Sequence, residues 1–499
     1  MAVTAELVFL SFPLPLVASL SATQPFDDIG LLKKAITALG HPLSFPDSPA
    51  SSVHPMAPAL PVDQTDLGKT TKIFASVDYE DGYVQPLLLS VLNAKLPSDL
   101  LVLINDVSEL PHSDCKFLQW RQYESIDFDH LMQNSTSSTA NSYIIRKALI
   151  RKHYLSSTVN HWLTKHPDSL LKQHVQPSVE FEVDYAQFLD DALLEAYELK
   201  ESWARNESRD EEDSEREWWI LKPGMSDRGQ GIRLFSSEEE LTSIFEEWDP
   251  ASDDEDDDVY SSPGDKELDD GDEDGNGVMA SQLRHFIAQP YVASPLLMPA
   301  THPSGGRKFH VRTYVLAVGA LQIYVYKPML ALFAGETYRA PSASSSPNED
   351  LSSHLTNTCL QDGTREGSVH PFWSLPDAIE GTLDNNWKND VYKQICSVTS
   401  EVFEAAARSM TIHFQPLPNA FEVFGLDFLV DANGIAWLLE VNAFPDFAQT
   451  GTELQNLIRG LVEGVVDTAI KPFFDISDGR SETVAENMTK VLDIDLGRR

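Results

Sequence analysis

From Phe424 to Val430 apolar residues alternate along the chain, Asn433-Gly434 forms a two-residue turn signal, and a second apolar run leads to Glu440, Val441 and Asn442. The pattern predicts a β-hairpin. With Asn433 and Gly434 as its turn, Asp427 falls directly opposite Glu440, and Asn442 shares their face because side chains alternate along a strand. Two carboxylates in that position repel, at a high cost near a core. A hard cation between them removes the cost, and an all-oxygen set suits Mg²⁺ held jointly with phosphates. An ordinary solvated hairpin with a chance acidic pair is the alternative.

The same patterning organises the rest of the chain. Lys72 to Val77 reads as a strand, Tyr83 to Leu92 as a helix and Leu100 to Asn105 as a second strand, a β-α-β beginning. Asn141 to Tyr154 reads as a basic amphipathic helix carrying Arg146, Lys147, Arg151 and Lys152, and helical periodicity resumes from Tyr185 to Trp203. Next come a strand from Trp218 to Lys222, a glycine-containing loop and a short strand from Gly231 to Phe235. A helix from Ser237 to Trp248 follows, with Glu240 at capping-box spacing from Ser237. His285 to Val292 predicts a strand, and Arg307 to Val318 with Leu321 to Tyr326 a second hairpin. Asn348 to Thr382 is a long polar loop, and helices are expected from Val391 to Met410 and from Glu453 to Ile470.

Composition sets limits on this picture. A chain of 499 residues predicts roughly two to four domains, and 42% hydrophobic with 9% aromatic residues is enough for real cores. The net charge of −40 argues against a general nucleic-acid binder, which needs a basic footprint. Acid concentrates in Asp253 to Asp258 and Asp269 to Asp274, read as a flexible insertion at about 249–280. Cys115, Cys359 and Cys396 lie far apart without CxxC spacing, so neither a disulfide framework nor a zinc site is indicated. Leu7 to Leu20 is apolar but holds Pro13 and Pro15, follows no basic residue and is too short to span a bilayer. A soluble cytoplasmic protein with no membrane partner is the expectation, with a monomer as the default state. Residues 1–70, with one helix from Asp28 to Leu39, read as an arm and linker. The tail after Asp475 is expected to fray.

Three further stretches carry chemistry. Lys222 ends an apolar strand and leads into a loop with Gly224, Gly229 and Gly231, whose backbone N–H groups can approach phosphate oxygens closely while the lysine supplies a point charge. The loop lacks the Gly-Lys-Ser/Thr ending of a Walker A motif, and a plain glycine hairpin would look similar. In Arg307 to Leu316, Phe309, Val311, Thr313 and Val315 take one face of a strand, and Lys308, His310 and Arg312 take the other. Cations side by side repel unless something anionic, a polyphosphate or a carboxylate, neutralises them. Gln289-Pro290-Tyr291-Val292 ends a strand where backbone groups could meet a purine, with Tyr291 as an apolar wall.

With His354-Leu-Thr356-Asn357 and the opening hairpin, these motifs form an ordered series. Over roughly residues 72 to 472 the chain resembles the tubulin–tyrosine ligase family of the ATP-grasp superfamily. The resemblance implies an α+β ATP-grasp fold, two lobes clamping ATP plus a small N-terminal α/β domain. The expected division is 71–145 for the small domain, 146–294 for the central lobe, 295–475 for the C-terminal lobe and 476–499 for the tail. It also implies that Lys147 and Lys222 contact phosphates or adenine, that the Gly229 and Gly231 loop covers the phosphates, and that Gln289, Pro290, Tyr291 and Val292 pair with adenine. Lys308 and His310 would lie near the ribose. Arg312, Thr356 and Asn357 would face the reacting end, with Arg312, Lys222 and Asn357 as catalytic candidates, and Asp427, Glu440 and Asn442 would hold Mg²⁺. The implied activity joins a carboxylate to an amine through an acyl phosphate. ATP and a protein acceptor, tubulin by family default, would be the partners.

Two positions depart from the family pattern. His310 stands where an acidic residue is usual, and Leu332 stands where an arginine usually precedes Phe-Ala, a cation that helps hold an acidic acceptor. Two alternatives to the ligase are therefore kept. One is a nucleotide-binding but ligation-deficient interaction module of the RNA-granule type; the other is a ligase for small molecules.

Overall fold

Among the described residues the strands form three sheets. The computed structural model describes residues 72–209, 215–225, 229–248, 284–342, 351–356, 368–379, 381, 383–447, 454–476 and 487–497, all within the unit Lys69–Arg499. The arm with its helix from Asp28 to Leu39, the acidic insertion at 249–280 and Asn357 lie outside the described residues.

The first sheet is parallel, with strands β1 (Ile73–Asp78), β2 (Leu101–Leu103), β3 (Lys116–Arg121) and β4 (Ser138–Ala140) in the order β2-β1-β3-β4. Its helix, Val84–Lys95, buries Val84, Leu87, Leu88, Val91 and Leu92, the apolar stripe that predicted it. The second sheet is antiparallel, with β5 (Val179–Glu182), β6 (Trp219–Pro223), β7 (Arg233–Phe235) and β8 (His285–Pro290) in the order β5-β8-β6-β7. Trp219, Leu221, Phe235 and Phe286 pack there against Leu241, Ile244, Phe245 and Trp248 of the helix Glu238–Trp248. At that helix's start Ser237 Oγ accepts from the Glu240 backbone N–H at 3.2 Å, while the Glu240 carboxylate reaches back to Ser236.

The third sheet holds β9 (Arg307–Val318), β10 (Gln322–Tyr326), β11 (Leu330–Thr337), β12 (Val369–Pro371), β13 (Phe421–Val430), β14 (Ala436–Ala443) and β15 (Met488–Asp493). β9 is its axis, with β13 along one edge and β11 and β10 sharing the other. The alternation in β9 has two consequences. Phe309, Val311 and Val315 bury against Val391, Ile395, Val398 and Phe403 of the long helix Trp387–Ser409, and Lys308, His310 and Arg312 are turned to the opposite face. Farther along that second face Tyr314 and Leu316 join an apolar cluster with Val91, Leu92, Leu461 and Val465, so the first sheet and the helix Gln455–Val465 close over it.

Several expectations need correction. Asn141 to Tyr154 is not one helix: Ile145 bridges Gln415, a short turn covers Lys147–Ile150, Arg151 is extended (φ −106°, ψ 123°), and a new helix runs Lys152–Lys165. Tertiary pairing of the strand-favouring Ser142-Tyr143-Ile144-Ile145 stretch overrides the helical spacing. The four bases therefore do not share one helix, and Arg146 turns inward to the buried Glu422 at 2.8 Å. Periodicity from Tyr185 to Trp203 breaks into short turns before the helix Tyr197–Glu207.

The tail is not frayed to its end. β15 pairs with β10, whose edge would otherwise be open, and buries Met488 and Leu492. The opening hairpin pairs Asp427 with Glu440 as expected, but its turn differs. Asp431 to Ile435 close a three-residue loop with Gly434 at φ +80°, Gly434 N–H donates to Asp431 O at 2.9 Å, and a bulge after Asp427 restores the register. The one-residue shift at the turn and the bulge cancel.

Deleting residues 488–499 removes the burial of Met488 and Leu492, and each fully buried side chain of this size contributes about 1.5–3 kcal/mol. Urea denaturation is expected to show a loss of about 3–6 kcal/mol. A loss below about 1 kcal/mol would mean that β15 is ornamental.

Candidate functional site

The second and third sheets face each other across a cleft that is open at its mouth. Ile220, Ile232, Val292, Leu429 and Leu438 give it apolar walls, and Lys152, Lys222, Lys308, His310, Thr356, Asp427 and Glu440 give it polar ones. Gln289, Pro290, Tyr291 and Val292 form its β8 side. The strand periods that built the cores also aim these groups. Lys222 ends β6, Lys308 and His310 occupy the second face of β9, and Asp427 lies directly across from Arg312 in the β9–β13 register.

Lys222 and Lys308 are both buried cations. Burial pushes the Lys308 ammonium down from 10.5 to about 7, aided by the nearby Lys222 charge. Burial likewise pushes Lys222 down to about 8, with Glu440 opposing and Lys152 adding to the effect. Lys222 Nζ donates to Gln289 Oε1 at 2.8 Å, and Gln289 Nε2 donates to Ser178 Oγ at 2.8 Å. The Gln289 side chain therefore holds the lysine in place. Lys308 Nζ donates to the Tyr291 hydroxyl at 2.9 Å and stands 4.3 Å from that ring's centre. The same hydroxyl lies 3.0 Å from His354 Nδ1. Tyr291 thus lines the cleft and also seats Lys308.

At the other end Arg312 grips Asp427 with both arms, Nε to Oδ1 at 2.5 Å and Nη2 to Oδ2 at 3.0 Å. Burial opposes ionisation of Asp427, yet Arg312 and then His310 hold its carboxyl well below the usual range. His310 Nδ1 meets Thr356 Oγ1 at 2.5 Å, and its buried Nε2 is 3.4 Å from Asp427 Oδ1 with no hydrogen-bond partner among the described residues. Asn442 Nδ2 donates to Asp427 Oδ2 at 3.3 Å and to Glu440 Oε1 at 3.1 Å. Lys152 Nζ stands 3.3 Å from Glu440 Oε2.

Most of the residues expected at the site are brought together. Asp427, Glu440 and Asn442 converge, and with the Asn442 amide rotated they would offer an all-oxygen donor set of the kind that fits a hard cation. The cations presently neutralising those carboxylates are side chains, however, which the sequence argument from repulsion overlooked. Gly229 and Gly231 both have positive φ, +80° and +70°, where only glycine is unstrained, as their loop demands. From the basic segment, Lys152 lines the cleft. The extended Arg151 rotates the following helix, a break that helical spacing could not reveal. Leu332 pairs directly with His310 across β9 and β11, and both are buried. The two departures from the family pattern are therefore one cross-strand substitution.

Comparison with known proteins bears on this geometry. The Tubulin-tyrosine ligase family profile matches residues 131–477. A "Probable tubulin--tyrosine ligase" of Schizosaccharomyces pombe is 43% identical over 428 residues, 85% of this chain and 98% of that protein. The chain belongs to the tubulin-tyrosine ligase family. A second "Probable tubulin--tyrosine ligase", PBY1 of Saccharomyces cerevisiae, is 41% identical over 448 residues, 87% of this chain but only 57% of the yeast protein's length. The C-terminal domain of K. lactis Pby1, described as an ATP-grasp enzyme interacting with the mRNA decapping enzyme Dcp2, matches with a TM-score of 0.61 at 34% identity. That match covers 85% of this chain and 99% of the domain. The expected family and the α+β ATP-grasp fold both hold. Among the described residues no helix is long and apolar enough to cross a membrane.

The buried lysines make a paired prediction. Below about pH 7 folded Lys308 is charged at the cost of desolvation, and between about 7 and 10.5 the unfolded chain holds the extra proton, so ligand-free stability rises with pH across that window. Lys308→Met should stabilise the ligand-free protein near pH 6.5 by on the order of 1 kcal/mol, with the gain shrinking toward pH 10. Urea midpoints at the two pH values measure this; a destabilised variant would show that the charge is well solvated.

Proposed function

We propose that this chain binds ATP in the cleft and serves chiefly as a nucleotide-binding interaction module, its ligation end altered from the family's. Nucleotide binding is supported by Lys222 and Lys308, two buried ammonium groups that an anion would stabilise, beside the apolar walls of the cleft they line. In this reading the two lysines meet phosphate oxygens, and the backbone of Pro290 to Val292 faces the base. Asp427, Glu440 and Asn442 hold Mg²⁺, which would supply charge neutralisation at the phosphates.

The observation that carries the altered-end reading is the His310–Leu332 pair. Leu332 is 1% exposed and places an apolar side chain on the face that carries Arg312, where the family pattern places a cation. An acidic acceptor would find less there to hold it. The interaction of K. lactis Pby1 with a decapping enzyme supports a module that binds another protein, and a component of an mRNA-decapping assembly is the partner this reading favours.

The second reading is an ATP-dependent carboxylate–amine ligase. It is favoured by the convergence of Asp427, Glu440 and Asn442 and by the names of the two yeast relatives. In that chemistry a carboxylate takes the γ-phosphoryl group to give an acyl phosphate, and an amine then displaces phosphate. Arg312 and Thr356 are the described groups at that end. They would position the reacting carboxylate and neutralise charge without a covalent enzyme nucleophile.

Calorimetric titration with Mg-ATP, followed by ADP-release assays with tubulin, peptides or free amino acids, separates the readings. We expect binding that weakens as pH rises above about 7, as Lys308 and then Lys222 lose their protons, and ADP release that no acceptor raises. Release raised by tubulin with an amino acid would establish the ligase, release raised only by free carboxylate and amine would establish a small-molecule ligase, and absence of binding would refute both readings of the cleft.

A further inference from the structure

Lys152 has a place in this cleft that neither the family motifs nor the sequence pattern assigns. It opens the 14-residue helix Lys152–Lys165, and its backbone N–H donates to Gly224 O at 3.3 Å, tying the helix start to the loop that follows Lys222. Its side chain is 14% exposed and lines the cleft, with Nζ 3.3 Å from Glu440 Oε2. Its charge is also felt by Lys222 as a like charge, so the two ammonium groups share the same end of the cleft.

The two carboxylates of the hairpin are neutralised in different ways. Arg312 holds Asp427 through a buried two-armed fork with contacts of 2.5 and 3.0 Å, a planar arrangement that resists displacement. Lys152 Nζ stands 3.3 Å from Glu440 Oε2, longer than the usual 2.7–2.9 Å or so of a charge-assisted bond, and is a compact charge on a flexible four-carbon stem. Glu440 is also the more open acid, with 25% of its side chain exposed against 3% for Asp427. A divalent ion reaching this hairpin thus meets the weaker ion pair at Glu440. Displacing Lys152 there frees its ammonium next to Lys222, where triphosphate oxygens would lie.

We propose that Lys152 is a nucleotide-positioning residue that neutralises Glu440 in the ligand-free chain and passes to phosphate oxygens when a divalent ion takes its place on that carboxylate. The inference rests on reading the cleft as a Mg-ATP site. It makes opposite demands on one side chain: Lys152 competes with the metal and assists the nucleotide. A lysine with a purely structural role would, when removed, weaken both ligands or neither. A lysine that only touched phosphate would leave metal affinity alone.

The test uses the full chain and two probes, Mn²⁺ without nucleotide, followed by the paramagnetic resonance of the free ion, and Mg-ATP by calorimetry. Lys152→Met is expected to bind Mn²⁺ several-fold more tightly and ATP about tenfold more weakly, the loss typical of one charged hydrogen bond. Lys152→Gln keeps a polar group and should shift both affinities the same way, which guards against a packing defect in the methionine variant. Unchanged or weaker Mn²⁺ binding in variants that melt like the wild type would overturn the proposal, as would unchanged ATP affinity. Wild-type protein with no affinity for Mg-ATP would instead overturn the reading of the cleft itself.

Discussion

The pairing of Arg312 with Asp427 across β9 and β13 organises this end of the molecule. Both side chains are almost fully buried, and the carboxylate is kept ionised against the cost of burial chiefly by the Arg312 guanidinium, with His310 adding to it. Breaking such a pair by removing one partner typically costs about 3–5 kcal/mol, because the other charge is left uncompensated. The pair therefore fixes register as well as charge. A slip of one residue between β9 and β13 would send Asp427 toward the Phe309–Val311 face and the apolar side chains of the long helix beneath it, away from Arg312. Everything the cleft presents, from Lys308 to Glu440, inherits its position from that register.

β9 also explains why core and site cannot be varied independently. Its apolar face anchors the sheet to the helix Trp387–Ser409, and its polar face carries three cationic or potentially cationic side chains in succession. Those side chains need opposite charge or a dipole close by. Asp427 serves Arg312, the Tyr291 hydroxyl and ring serve Lys308, and Thr356 serves His310. Lys222 and Lys308 remain the least compensated, with pKa values pushed toward neutrality by burial, which is why an anion is the natural occupant of the space between them. The His310–Leu332 pair shows the same coupling. Once 332 is apolar, an acid at 310 would face a leucine directly, and a histidine that turns to Thr356 and Asp427 avoids that.

Local periodicity made much of this legible. The two faces of β9, the Asp427–Glu440 pairing, the long helix under the sheet and the lysine at the end of β6 all follow from alternation or helical spacing over long runs. The misses have physical causes. Asn141 to Tyr154 keeps helical spacing while its first residues are claimed by pairing with Gln415 and by the Arg146–Glu422 ion pair. β15 is short, follows a polar stretch and owes its existence to the open edge of β10. The hairpin's turn was assigned as two residues because Asn-Gly usually is one. The bulge after Asp427 absorbed the difference, so the functional pairing came out right through two compensating deviations.

The sequence by itself determined which residues bury and which face outward within each strand and helix, because those follow from periods of about two and 3.6 residues that the chain carries locally. It also determined the chemical inventory of the cleft, since a series of motifs in order is a property of the chain. Which charges neutralise which was decided only by the tertiary structure. Repulsion between Asp427 and Glu440 read as a demand for a metal, but Arg312 and Lys152, 115 residues before Asp427 in one case and on a separate helix in the other, answer it in the folded chain. Electrostatic partners are set by distance in space, which local pattern does not encode.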